Sequence, residues 1–193
     1  MIKTTVNSNQ EVSQEIICPP DPERIVEGLR DTGYNFNTAV ADIIDNSIAA
    51  HATKVDIKIN MDPAGDITVY IADNGIGMDL EGLRNAMTYG SKVRADLGSL
   101  GKFGLGLKTA STAFCRSLSV ISRGQNDPQI RKSEWDLDYV AQVHEWKLKM
   151  PEVDPDEQDL LEATTGSGTG TLVAWRKVDR LLKNYSNKGN AQN

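Results

Sequence analysis

In "VADIIDNSIAA", Asp42 and Asn46 stand four residues apart, a spacing that puts both on one side of a helix. A carboxylate beside a carboxamide suits a hard cation or a polarised water, and Mg²⁺ takes oxygen ligands partly from protein and partly from phosphates and water. Alone, such a pair more often marks a solvated polar face. In "ADNGIGMD", Asp73 ends an apolar run and is followed by Gly75 and Gly77. A carboxylate only accepts hydrogen bonds, which suits the exocyclic amine of adenine. The glycines would let a flat ring approach, and Met78 would add soft apolar contact. Asp-Asn-Gly is also common turn chemistry. In "GKFGLGLKTAS", glycines at 101, 104 and 106 lead into residues that favour a helix. A helix beginning near Gly104 would aim unpaired N–H groups and the positive end of its dipole at an anion, which is a phosphate site. Lys102 and Lys108 would add charge. The spacing matches neither G-x-x-x-x-G-K-[ST] nor a G-x-G-x-x-G after a strand. Further on, "TGSGTGTLVAW" is a glycine-rich turn into an apolar strand that starts at Thr171.

Positioning these groups requires a set of elements. A helix starts near Asp21 or Pro22. A second covers "NTAVADIIDNSIAAHA", with Asn37 as its cap and Val40, Ile43, Ile44, Ser47 and Ile48 on the core face. "KVDIKINMD" and "DITVYIAD" alternate at period two around "DPAG", the pattern of an antiparallel hairpin. "LEGLRNAM" reads as a short helix, residues 88–100 as a loop, and 104–115 as a helix. Strands follow at "SLSVISR", "IRKSEWDLDYV", "HEWKLKM" and "GTLVAWRKV", with the acidic, Pro-containing "PEVDPDEQD" between the last two and "DRLLKNY" as a last helix. Helices on one face of a mixed, mostly antiparallel sheet give an α+β two-layer sandwich. Residues 1–21 read as an N-terminal arm, 22–185 as the domain and 186–193 as a disordered tail.

Bulk properties narrow the classes. The 193 residues carry a formal net charge of −6 with scattered Lys and Arg, so nucleic-acid binding is not indicated for this domain alone. Cys18 and Cys115 lie far apart, which argues against a disulfide framework and for a reducing compartment. No stretch reaches membrane-spanning length and no signal-peptide core is visible, so a cytoplasmic location is expected.

The order and spacing of the motifs resemble the ATP-binding domain of the GHKL superfamily (Bergerat fold), the group of DNA gyrase B subunits, heat-shock chaperones, histidine kinases and MutL mismatch-repair proteins. The resemblance spans residues 22 to 180 or so. "DIIDNSIAAHATKVDI" is similar to the family's N-box helix and next strand, "DNGIGM" to its first glycine box, "GKFGLGLKTAS" to its second, and "GTLV" to its later Thr-bearing strand. The N-box and the long "YGSKVRADLGSLGKFG" look closer to MutL, MORC and chaperone types than to histidine kinases. The resemblance implies that Asn46 coordinates Mg²⁺ on the phosphates and that Asp73 binds the adenine amine. Gly75 belongs to the first box, and Gly77, Met78 and Thr171 would line the base pocket, with a water shared by Asp73 and Thr171. Residues 88–103 would form a lid, with Lys92 reaching phosphate. The amides of Phe103, Gly104, Leu105, Gly106 and Leu107, flanked by Gly101, Lys102 and Lys108, would wrap the β- and γ-phosphates.

One departure stands out. Hydrolytic members of the family carry Glu four residues before the metal-binding Asn, and this chain has Asp42. The charge is kept on a shorter arm, so Asp42 is expected to act as general base with slow turnover, with Asp45 as the fallback. Members of the MutL, gyrase and chaperone types add a further domain that supplies a lysine to the γ-phosphate and couples ATP to dimerisation. A transducer-type domain or partner protein is therefore expected, together with a nucleotide-dependent homodimer. The expected function is Mg²⁺-dependent ATP binding and slow hydrolysis, with lid closure as a switch. The alternatives are a phosphotransfer module of histidine-kinase type, against which only His51 and His144 are present, and a nucleotide sensor without catalysis.

Overall fold

The computed structural model describes residues 16–91 and 105–181. The chain opens with helix α1 (Pro22–Arg30), where Asp21 caps the N-terminus by accepting from the Arg24 amide and a proline fills the first turn. Arg30 is buried at the other end, where its Nε donates to the Thr112 carbonyl at 2.8 Å and its guanidinium pairs with Asp179.

Helix α2 (Phe36–Ala49) starts earlier than the sequence predicts. Asn35, not Asn37, is its cap, extended at φ −90° and ψ 158° and accepting from the Thr38 amide. The reason is aromatic: Phe36 sits edge-on to Phe114 and Trp175, with ring centroids 5.7 and 6.1 Å apart, so it belongs to the helix rather than to a preceding loop. The buried stripe is Ala39, Ile43 and Ser47. Ile48, expected in the core, is 62% exposed.

Strands β1 (Val55–Met61) and β2 (Ile67–Asp73) form the expected antiparallel hairpin, and α3 (Leu80–Met87) follows under an Asp79 cap. Helix α4 (Gly106–Thr112) is shorter than the expected 104–115, because β3 (Cys115–Gly124) begins directly after it. Strand β4 (Asp127–Asp136) ends where Asp136 accepts from the amides of Asp138 and Tyr139. The "DLDYV" half of the predicted strand therefore becomes helix α5 (Leu137–Val143). "HEWKLKM" contributes only an isolated bridge, Glu134 to Lys149, and Pro151 two residues on has no N–H to extend it. The acidic, Pro-containing stretch, for which the sequence predicts no element, runs into α6 (Pro155–Thr165), with a full capping box between Asp154 and Glu157. Strand β5 (Gly170–Val178) completes the sheet. Asp179, Arg180 and Leu181 are not helical, and the rest of "DRLLKNY" lies outside the described residues.

The five strands run β1-β2-β5-β3-β4, antiparallel at every neighbouring pair. One face carries the main core, in which Val69, Ile71, Leu118, Val120, Val173 and Trp175 meet the helices α1 to α5. The α+β sandwich expected from the sequence is present. Helix α6 adds cover to the opposite face, with Leu161 against Ala72, Ile121, Leu172 and Ala174. Among the described residues no helix is long and apolar enough to cross a membrane.

Candidate functional site

The site grows from the ends of α2, β2 and β5. Strand β2 runs its buried residues out to Asp73, which pairs in register with Thr171 at the start of β5. Asp73 is 6% exposed. Its Oδ2 accepts from the Ser47 hydroxyl at 2.9 Å and its Oδ1 from the Gly75 amide at 2.9 Å. Burial pushes its pKa up, while these two donors and the Thr171 backbone pull it down less strongly. An ionised carboxylate has about four lone-pair sites, so the oxygens retain acceptor capacity beyond these two donors.

The loop after Asp73 is held rigidly. The Ile76 amide donates to Ala50 at the end of α2, Thr169 donates to the Gly75 carbonyl at 2.7 Å, and the Met78 amide donates to Ser122 Oγ at 2.9 Å. Gly77 has φ +64°, and a Cβ there would lie 2.0 Å from the Arg123 carbonyl oxygen. A Cβ on Gly75 would lie 2.7 Å from the Ala50 carbonyl oxygen. The space at these two glycines is filled by the protein's own backbone, a tighter requirement than the ring clearance expected of them.

Ser122 joins the loop to β5: its hydroxyl donates to the Gly170 carbonyl and lies 2.9 Å from Thr171 Oγ1. Arg123 clasps the turn before β5, bonding Gly168 and Gly166 carbonyls and pairing with Glu162. Ser47, Ser122, Arg123 and Gly170 were not singled out in the sequence. Ser47 was read as one more position on a core stripe, and the partners of the others are set by strand register.

On α2 the Asn46 side chain donates to the Asp42 carbonyl at 2.9 Å, one turn back. That bond fixes the amide and leaves its oxygen available. The Asp42 carboxylate accepts from the Tyr34 hydroxyl at 2.8 Å, another partner not anticipated. Burial raises the Tyr34 pKa, and the hydrogen bond to Asp42 and its charge raise it further. Asp42 and Asn46 are both half-buried.

Helix α4 starts at Gly106 with Leu105 as its cap, and Leu105 makes no side-chain capping bond. Lys108 turns away from that end. It is 1% exposed, donates from Nζ to the Ala86 carbonyl at 2.7 Å and lies 5.8 Å over the Tyr89 ring. Burial lowers its pKa to about 8. Lys92, Gly101, Lys102, Phe103 and Gly104 fall outside the described residues.

A single protein oxygen from Asn46 fits a Mg²⁺ whose other ligands are phosphates and water. Among the described residues no group of three or more His, Cys, Asp or Glu side chains could hold a metal ion. A separate groove of 1390 Å³ runs between α3, β4 and residues 146–153, and Asp42, Asn46, Asp73 and Thr171 are not in its walls.

Residues 34–171 match the family described as histidine kinase-, DNA gyrase B-, and HSP90-like ATPase. Among curated proteins, the chain is 30% identical over 92 residues to the mouse protein ATPase MORC2B, covering 46% of this chain and 9% of that protein. It is also 31% identical over 90 residues to Protein MICRORCHIDIA 1 of Arabidopsis thaliana, 44% of this chain and 14% of the relative. Protein MICRORCHIDIA 7 of the same plant is 35% identical over 91 residues, 44% of this chain and 13% of the relative. The matched part of this chain is thus a small piece of each of these longer proteins. With the family match extending over well more than half of its length, the chain belongs to the histidine kinase-, DNA gyrase B-, and HSP90-like ATPases.

Proposed function

We propose that this domain binds Mg·ATP, hydrolyses it slowly and uses the bound nucleotide to organise a larger assembly of MORC type. The observation that carries the reading is Asp73: a buried carboxylate, steadied by Ser47 and Gly75, at the end of the strand beside α2. A family ATPase match and MORC-named relatives support it.

In this reading Asp73 accepts a hydrogen bond from the adenine amine, with Gly77, Met78 and Thr171 around the base. Asn46 presents its amide oxygen to the metal, and the start of α4, from Leu105 through Leu107, lies against the phosphates with Gly101 to Gly104 completing the loop. Bound Mg²⁺ supplies charge neutralisation on the phosphate oxygens. Asp42 orients the attacking water and takes its proton, while Tyr34 holds the carboxylate in one rotamer. Lys108 acts at a distance from phosphate, fastening α4 to the end of α3. Lid closure by residues 88–103, phosphate contact by Lys92, and assistance from a transducer-type domain or partner belong to the same proposal.

Calorimetric titration with a non-hydrolysable ATP analogue, with and without Mg²⁺, tests the pocket. Removing the charged acceptor in Asp73→Ala is expected to weaken binding about 10- to 150-fold; undiminished affinity refutes the adenine assignment. For hydrolysis, Asp42→Asn is expected to abolish turnover and keep binding. A nucleotide sensor without catalysis is the second reading, favoured by the Tyr34 hydroxyl already occupying an Asp42 oxygen. Tyr34→Phe separates the two: turnover altered about tenfold at unchanged affinity marks an active carboxylate, and absence of turnover in both proteins marks a sensor.

A further inference from the structure

Strand β1 is a sheet edge with an unusual surface. It ends the strand order, and among the described residues nothing pairs with its outer side. By contrast, the opposite edge strand, β4, is partly closed by the bridge to Lys149. Ile57, Ile59 and Met61 are 47, 53 and 68% exposed. Their register partners on β2 are Ile71, Val69 and Ile67, all in the main core. Among the described residues the apolar face of the sheet thus runs out to its edge uncovered, where soluble proteins usually blunt the strand. On the other face Asp56 and Lys58 alternate in charge. Asp56 is held in place by Lys54 at 2.6 Å and by the Thr164 hydroxyl at 2.7 Å, yet its side chain remains half-exposed.

We propose that β1 is a self-recognition edge, through which two copies of this chain pair antiparallel about a two-fold axis at Ile57 and join their five-stranded sheets into one. Facing side chains in a sheet must share a face, so only registers centred on a residue are admissible. Centring on Asp56 puts Asp56 against its own copy. Centring on Lys58 does the same with Lys58, and centring on Ile59 sets Asp56 against Asp62. Centring on Asn60 sets Lys58 opposite Asp62 but overlaps the two strands only over residues 59–61. Centring on Ile57 overlaps them over residues 55–59 and sets Asp56 opposite Lys58 twice within the strand, with Val55 against Ile59 on the apolar face and Ile57 against its own copy. Symmetric interfaces are self-complementary in this way, and opposite charges directly across strands are favourable where like charges are not. The pairing needs no nucleotide, so it is separate from any ATP-driven dimer and from the reading of the site.

Sedimentation of the nucleotide-free chain, up to ~1 mM, is expected to show a reversible, concentration-dependent dimer. Asp56→Lys and Lys58→Asp should each weaken it about tenfold or more. An equimolar mixture of the two variants should restore it, because each reversed residue then meets its opposite. A wild-type chain that stays monomeric, or variants that do not recover on mixing, overturns the proposal. Should either variant misfold, Ile57→Cys in a Cys18→Ser background gives a second measure. A cysteine at 57 should form an intermolecular disulfide at the axis under mild oxidation, and Ile59→Cys, whose copies lie apart in this register, should not. Equal cross-linking of both, or of neither, counts against the register.

Discussion

The Ser47 hydroxyl donates to Asp73 Oδ2 at 2.9 Å, so the buried face of α2 holds the carboxylate that ends β2. One contact ties the helix carrying Asn46 to the strand carrying the candidate base-binding group. Its cost is electrostatic, because Asp73 is buried and its pKa is raised by desolvation.

That cost has a sign. A carboxyl whose folded pKa exceeds its unfolded value binds its proton more tightly when folded, so its contribution to stability is full below the unfolded pKa and is lost as pH rises through the folded one. Near neutral pH the ionised Asp73 therefore destabilises the ligand-free fold. Asp73→Asn keeps the shape, and its amide can still accept from Gly75 and face Ser47. Thermal melts of the ligand-free variant are expected to give a higher Tm than the parent at pH 7, with the gap closing on acidification below the carboxyl's folded pKa, while nucleotide affinity falls. A variant less stable than the parent at pH 7 refutes the account.

Lys108 supplies the opposite case. Its ammonium is buried against the Ala86 carbonyl and the Tyr89 ring, and its pKa falls to about 8 from 10.5. A lysine with a lowered folded pKa is penalised while charged, so stability rises with pH between the folded and the unfolded values. The shift corresponds to roughly 3 kcal/mol across that window. Denaturant titrations of the parent and Lys108→Met at pH 7 and pH 10 should show the parent gaining stability relative to the variant by up to about that amount. A constant difference between the two proteins indicates that Lys108 does not titrate in the window.

Much of this was legible from local pattern. Asp73 ending an apolar strand before two glycines, and Asp42 four residues before Asn46, were visible because strand and helix periodicities are local properties. What escaped depends on distant chain segments. Ser122 reaches Met78, Gly170 and Thr171 only because β3 pairs with β5, and Tyr34 reaches Asp42 across a turn that the sequence does not describe. Helix α6 is a different failure. Pro155 in the first turn and the Asp154–Glu157 capping box are local signals, but the sequence reading takes from the stretch only its acidic, Pro-containing composition. The same holds for α5, where Asp136 at the strand end is a helix cap.

Gly170 gives the sharpest test of how closely the site is built. A Cβ on this residue would lie 2.1 Å from the Asp73 carbonyl oxygen and 2.4 Å from Thr165 Cγ2, so β5 approaches β2 too closely at this point for any side chain. The backbone of Asp73 cannot yield without moving its carboxylate, and Gly170 immediately precedes Thr171. Gly170→Ala is therefore expected to cost about 1–3 kcal/mol of stability and to weaken nucleotide binding in the same protein. Gly28→Ala is the matched control. It makes the identical chemical change inside α1, where nothing lies within 4 Å of the added Cβ, and should stabilise by about 0.5–1 kcal/mol. Urea unfolding of both variants with calorimetry on the first checks the pair. Opposite signs in stability, with affinity lost only for Gly170→Ala, show that backbone contact between β2 and β5 sets the geometry of the pocket. A Gly170→Ala protein as stable and as tight-binding as its parent means that the two strands can part without cost.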